Sequence, residues 1–286
     1  MENSEFYIEN NRHFEKMLNS INYSFLYDYS FDYIKEVENL CKKICLYNGK
    51  IIYDRKIKIS NVFNAFLEIV KFLGNKELYE YYKEKVFEIP ITFDKGMRKG
   101  NACIEYYFIE DGIFVNSVHM SNHIKRCMDL SSYVHEMGHV AYFDNKPRDK
   151  SDYFEYSEVL SILLEYFAFV FLLDKKGEDI FFKERLSMEK NAAKAAIKSI
   201  NNLNRINVSE EKKKYLISDI ADSNKYFVSS DFVFQCVDLL KEDRTEFLKL
   251  FSSTLLGDNT VKEFGENLGI KSDNCKRLIK EYERRM

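Results

Sequence analysis

Residues 131–142 read SSYVHEMGHVAY, and the HExxH pattern inside this stretch constrains the chain more than any other feature. On a helix, His135 and His139 stand one turn apart on one face. That spacing lets two imidazoles reach one tetrahedral zinc ion. Glu136 projects beside them, where it can take a proton from a water activated by the metal. The pattern by itself favours metal-assisted peptide hydrolysis and calls for a third protein ligand. The histidines are at 13, 119, 123, 135 and 139, so no imidazole downstream of the motif can fill that place. The HExxHxxGxxH arrangement is thereby excluded, which leaves a carboxylate.

From Val159 to Leu173 the chain is almost wholly apolar, which predicts a buried helix. The run is too short and too rich in carboxylates for a membrane span. Glu158 and Glu165 are seven residues apart and share one helical face. A buried carboxylate without a partner costs several kcal/mol or takes up a proton. Zinc is the partner that explains Glu158 most simply. The alternative is that both glutamates pair with Lys or Arg, or stand at a solvated helix edge.

The wording of these segments resembles a known family. Glu158-x-x-Ser161-x-x-x-Glu165, following His139 by nineteen residues, is similar to the third-ligand helix of the zinc peptidases that include thimet oligopeptidase and oligoendopeptidase F. His135-Glu136-Met137-Gly138-His139 with Ala141 resembles the same family's HE-x-GH-A helix. Residues 99–103 (KGNAC) and 113–116 (IFVN) resemble its glycine-led strand and its strand ending in Asn. The resemblance covers roughly residues 97–170, with a somewhat shorter gap between His139 and Glu158, and members of the family are typically about twice as long. It implies that Glu158 binds zinc, that Ser161 and Glu165 orient the ligands from behind, and that a strand beside the metal pairs with substrate backbone. It also implies a tyrosine hydroxyl that hydrogen-bonds the tetrahedral oxyanion. Residues 224–232 (NKYFVSSDF) loosely resemble that segment, with Tyr226 as the candidate donor. The family's preceding histidine and its second tyrosine are absent here.

The rest of the chain is read as scaffold. Two prolines, Pro90 and Pro147, and ten glycines in 286 residues suit a helical protein. Helices are expected from Phe31 to Leu46, Val62 to Leu73 and Glu77 to Phe87, with Gly74 and Asn75 as a stop. Residues 91–100 read as a polar connection. Ala102–Ile109 and Gly112–Val118, joined by Glu110 and Asp111, read as a β-hairpin. Asp152 with Glu155 suggests a capping box, so Glu155 caps rather than ligates. Later helices are expected at Glu189–Leu203, Glu210–Ile220, Phe232–Lys241, Arg244–Leu255, Val261–Leu268 and from Asp273 onwards. His119 and His123 are also four apart, but they lack a neighbouring Glu and follow a strand into a loop.

A net charge of −3 gives no general reason to expect nucleic acid. The first residues show neither a basic segment nor an apolar one, so no secretory signal is expected. Six cysteines form neither a CxxC pair nor a disulfide framework, which makes a reducing cytoplasm the expected location.

The expectation is a mainly α protein with a zincin-like core and a small β-hairpin or sheet beside the HExxH helix. Residues 1–90 form an N-terminal helical segment, and 91–286 form the catalytic domain. His135, His139 and Glu158 hold Zn2+, Glu136 is the base, and the partner is a short peptide substrate, with no nucleic acid and no membrane. Three other readings stay open. An ImmA/IrrE-type peptidase that cleaves a repressor protein would use Glu165 as the ligand. A zinc-stabilised helical binding protein would need no catalysis. A bundle with an accidental HExxH would bind no stoichiometric metal.

Overall fold

Long stretches without proline or glycine fold as helices, and the short β-rich region folds as one sheet. The computed structural model describes residues 31–46, 61–93, 102–109, 112–120, 127–144, 158–204, 208–270 and 275–285. Two compact units are formed. One comprises residues 52–183 and 232–272, the other residues 1–51, 184–231 and 273–286. The boundary expected at residue 90 remains a proposal.

The unit of residues 52–183 and 232–272 begins with α2 (Val62–Phe72) and α3 (Lys76–Glu88). The Asn61 side chain accepts from the Asn64 amide and Asn75 from the Leu78 amide, so each helix has a polar N-cap. Gly74 turns the chain between them at φ +78°, a conformation that favours glycine. The expected stop at Gly74 and Asn75 is therefore realised.

Among the described residues three strands follow, in the order β1-β3-β2. β2 (Ala102–Ile109) and β3 (Gly112–Met120) form the expected antiparallel hairpin, with a bulge at Glu105/Tyr106. β1 (Ile91–Phe93) lies in the stretch read as a connection, and pairs parallel to β3 through Ile91↔Val118 to Phe93↔Met120. Three residues are too few for strand alternation to show, and the partner lies 27 residues on. Val115, Val118 and Met120 are buried, and α4 (Cys127–Asp144) packs on β3 and β2.

α5 (Val159–Leu173) packs along α4. It is buried on nearly every side, with Ile162, Leu164 and Phe169 all inaccessible to solvent. Each such side chain contributes roughly 1.5–3 kcal/mol by leaving water. A 3-10 turn (Asp174–Lys176) leads directly into α6 (Gly177–Leu203), twelve residues ahead of the expected start at Glu189. Gly177 is not a breaker here. A Cβ on it would fall 2.2 Å from the Phe169 carbonyl oxygen, so glycine permits a close approach.

The two expected helices at Glu210–Ile220 and Phe232–Lys241 are one 33-residue helix, α7 (Glu210–Glu242). No Gly or Pro interrupts it, and its buried Ser230 bonds Glu189 of α6, a tertiary role that polarity alone does not reveal. α8 (Arg244–Leu255) is capped by Asp243, and α9 (Val261–Asn267) by a reciprocal Thr260/Glu263 box.

The other unit holds α1 (Phe31–Cys45), α10 (Lys276–Arg285) and the adjoining parts of α6 and α7. A buried network ties it together. Arg185 Nε donates to Glu189 Oε1 (3.0 Å), and Ser230 Oγ donates to the same oxygen (2.6 Å). Asp231 accepts from the Leu278 amide at 2.8 Å, capping α10 from a distant part of the sequence. Among the described residues, no helix is long and apolar enough to cross a membrane.

Candidate metal centre

α4 carries Leu130, Val134, Met137, Val140 and Ala141 into the core, all 1% exposed or less. Its polar side chains are drawn into the same apolar surroundings. Glu136 is 7% exposed and His139 9%. The neighbouring helix brings a further carboxylate to them, because Glu158 stands at the N-cap of α5 and is 4% exposed.

One carboxylate oxygen meets both imidazoles. Glu158 Oε2 lies 3.2 Å from His135 Nε2 and 3.4 Å from His139 Nε2. The donor atoms of these three residues all lie within 4.8 Å of one another. Two ligands bound tetrahedrally to zinc at about 2.0–2.1 Å are separated by roughly 3.3–3.4 Å. The nitrogen–oxygen distances match that edge, and the nitrogen and oxygen donor set suits zinc. The three residues therefore fit the ion.

Glu165 occupies a different position. Its Oε2 is 3.4 Å from Nδ1 of His135, the ring nitrogen turned away from Glu158. A carboxylate there fixes the ring orientation and raises the basicity of Nε2. The His139 ring stacks on Phe143, with centroids 5.9 Å apart and planes 19° apart. Its Nδ1 has no hydrogen-bond partner among the described residues.

The charges respond to this crowding. Burial pushes the His135 imidazole down, but hydrogen bonds to Glu158 and Glu165 and the Glu136 charge outweigh it and lift it to about 10. Burial lifts Glu136 above the ordinary carboxylate range, against the pull of both imidazoles. The carboxylates around His135 thus favour its protonated form.

Gly138 lies at a close approach of α4 and α5. A Cβ there would be 2.5 Å from Ser161 Cα and 2.8 Å from its Oγ. Ser161 is fully buried, and its hydroxyl has no hydrogen-bond partner among the described residues. The Tyr82 hydroxyl donates to the Met137 carbonyl at 3.1 Å, inside the HExxH turn. Phe66 meets Tyr82 and Tyr133 edge-on at 4.9 and 5.7 Å. Nothing in the sequence distinguishes Tyr82 from the other core aromatics of α3. Its role shows only in the tertiary fold.

His119 is held within the sheet, with Nδ1 2.8 Å from Thr92 Oγ1 and Nε2 3.0 Å from Ser117 Oγ. His123, Asp152 and Glu155 lie outside the described residues. Tyr226 lies on α7, in the unit that does not contain the histidine pair. The Arg185 guanidinium is 6.0 Å and the Lys225 amine 5.2 Å from its ring centroid.

Among the described residues β3 is paired on both sides, which leaves β1 and β2 as the outer strands. The strand that packs on α4 beside β3 is β2.

No protein-family profile matches the chain, and no curated protein matches it. Solved structures do. A structure assigned as an oligoendopeptidase F from Bacillus anthracis str. Ames is 17% identical, with a TM-score of 0.57 over 93% of this chain and 58% of that one. A second oligoendopeptidase F structure is 14% identical with a TM-score of 0.62, covering 93% and 60%. PZ peptidase A, solved with an inhibitor, is 14% identical with a TM-score of 0.60 and the same coverage. The chain thus has the fold of these oligopeptidase structures, and it spans about three-fifths of their length.

Proposed function

We propose that the protein is a zinc-dependent metallopeptidase that hydrolyses peptide bonds in short peptides. The observation that carries this reading is the meeting of one Glu158 oxygen with Nε2 of both His135 and His139. These three side chains would hold the ion, and Glu165 would orient His135 from behind. A zinc ion supplies a Lewis acid that lowers the pKa of a water towards about 7 and polarises a carbonyl.

Glu136 does the proton work. Its raised carboxyl accepts a proton from the attacking water and returns it to the leaving amine. An extended substrate would pair with a free sheet edge, β2 being the candidate because it packs on the histidine helix. The fold shared with oligoendopeptidase F and PZ peptidase A structures supports a peptide as substrate.

The test combines metal analysis with cleavage of a quenched peptide library. Wild type should carry one zinc per chain and cleave, while Glu136→Gln should keep the metal and lose cleavage by at least about a hundredfold. A metal-free wild type, or a Glu136→Gln variant with full cleavage, refutes the assignment.

A further inference from the structure

We infer that Gly138 and Ser161 form the contact that sets the ligand spacing of the metal centre, so that they position Glu158 by size alone. The inference rests on the zinc reading above. The three ligands come from two helices, and the distance between those helices must be fixed for the ligands to meet. Gly138 sits between the two histidines on α4, and Ser161 lies one turn beyond Glu158 on α5.

A glycine inside a helix is unfavourable by roughly 0.5–1 kcal/mol relative to alanine. Gly138 lies in the interior of α4, so local propensity favours alanine there. Space forbids it. An added Cβ would stand 2.5 Å from Ser161 Cα and 3.0 Å from Ser161 N, and backbone atoms cannot rotate away. Ordinary contact begins at 3.4 Å, so α5 would have to retreat by about 0.9 Å (3.4 − 2.5). Glu158 would retreat with it, because its carbonyl accepts the Ile162 amide of the same first turn at 2.9 Å. The oxygen–nitrogen distances of 3.2 and 3.4 Å would then open beyond the tetrahedral edge, and a zinc site tolerates only about ±0.2 Å in its bonds. The Ser161 hydroxyl bonds to no described residue, so its small volume is the property that matters.

The experiment measures zinc affinity by competition with a chelator, alongside the thermal midpoint of the metal-free protein. Gly138→Ala should bind zinc at least tenfold more weakly. The loss should be smaller for Cd2+, whose longer bonds accept a wider cage. Ser161→Ala and Ser161→Gly should bind within about threefold of wild type, and Ser161→Leu should weaken binding as Gly138→Ala does. Gly265→Ala is the control. Its Cβ would stand 2.8 Å from the Phe232 ring at a helix contact that carries no proposed ligand, so it should lower the midpoint and leave zinc affinity unchanged. Should Gly138→Ala not fold, the Ser161 series decides.

Wild-type affinity in Gly138→Ala or in Ser161→Leu overturns the inference. So does a loss in Ser161→Ala as large as that in Ser161→Leu, since the hydroxyl would then be the working group. A wild-type protein that binds no zinc overturns the metal reading itself, and is told apart by being seen before any variant is made.

Discussion

Loading the metal-free protein with zinc should release a proton from His135. The imidazole is held at about 10 by Glu158, Glu165 and Glu136, against an ordinary value of 6.5. At pH 8 it is then about 99% protonated, where an unperturbed imidazole would be about 3% protonated. Zinc requires the neutral ring, so binding at pH 8 should expel close to one proton per site. Apparent affinity should rise about tenfold per pH unit up to about 10 and then level off. Calorimetry in two buffers of different ionisation enthalpy counts the proton directly. Linkage fixes a second sign. The folded-state value is raised, so its stabilisation of the metal-free fold is complete below 6.5 and fades as pH climbs through about 10. The gap between the ordinary and the raised value sets an upper limit on the order of 5 kcal/mol. The chelated protein should therefore lose thermal stability between pH 7 and 10. A release near zero at pH 8, with an affinity flat from pH 7 to 9, would refute the pairing of His135 with these carboxylates.

Other outcomes follow from the same geometry. Glu158→Gln should abolish stoichiometric zinc, whereas Glu165→Gln should weaken it by about 10–100-fold; atomic absorption after dialysis separates the two, and the reverse order would make Glu165 the ligand. Tyr82→Phe removes the hydrogen bond to the Met137 carbonyl and should lower stability by about 1 kcal/mol in urea unfolding. Burial pushes Glu281 up, but Arg277 and Arg284 hold it below the ordinary carboxylate value. Glu281→Gln should thus destabilise at neutral pH, and the difference from wild type should vanish as acid protonates the carboxyl. Among the described cysteines Cys103 is exposed, while the Cys41 thiol is buried and pushed up to about 12. A thiol reagent at neutral pH should show a fast phase that Cys103→Ser removes.

Much of the histidine helix and its partner was legible in the sequence, because both express a periodicity. HExxH fixes a face, and the apolar run from Val159 to Leu173 coincides with α5 residue for residue. The hairpin was legible through its turn and its β-branched residues. What stayed hidden depends on partners remote in the chain. β1 is a strand only because β3 is there to pair with it. Gly177 looks like a helix breaker until the Phe169 carbonyl is seen against it. The continuity of α7 through Tyr226 could not be read from a segment rich in Ser and Asp, residues that favour caps and turns in isolation. The opposed placement of Glu158 and Glu165 on the two nitrogens of one ring is likewise a three-dimensional fact.

The brace between α3 and the histidine helix has a practical corollary for anyone cutting the gene. Tyr82 reaches across 55 residues to the Met137 carbonyl, and Phe66 seals Tyr133 behind it. A fragment that starts after the first proline keeps every proposed ligand yet exposes that wall of the helix to water. Such a fragment should be recovered as insoluble material, and supplying residues 52–90 as a separate peptide is the natural way to restore it.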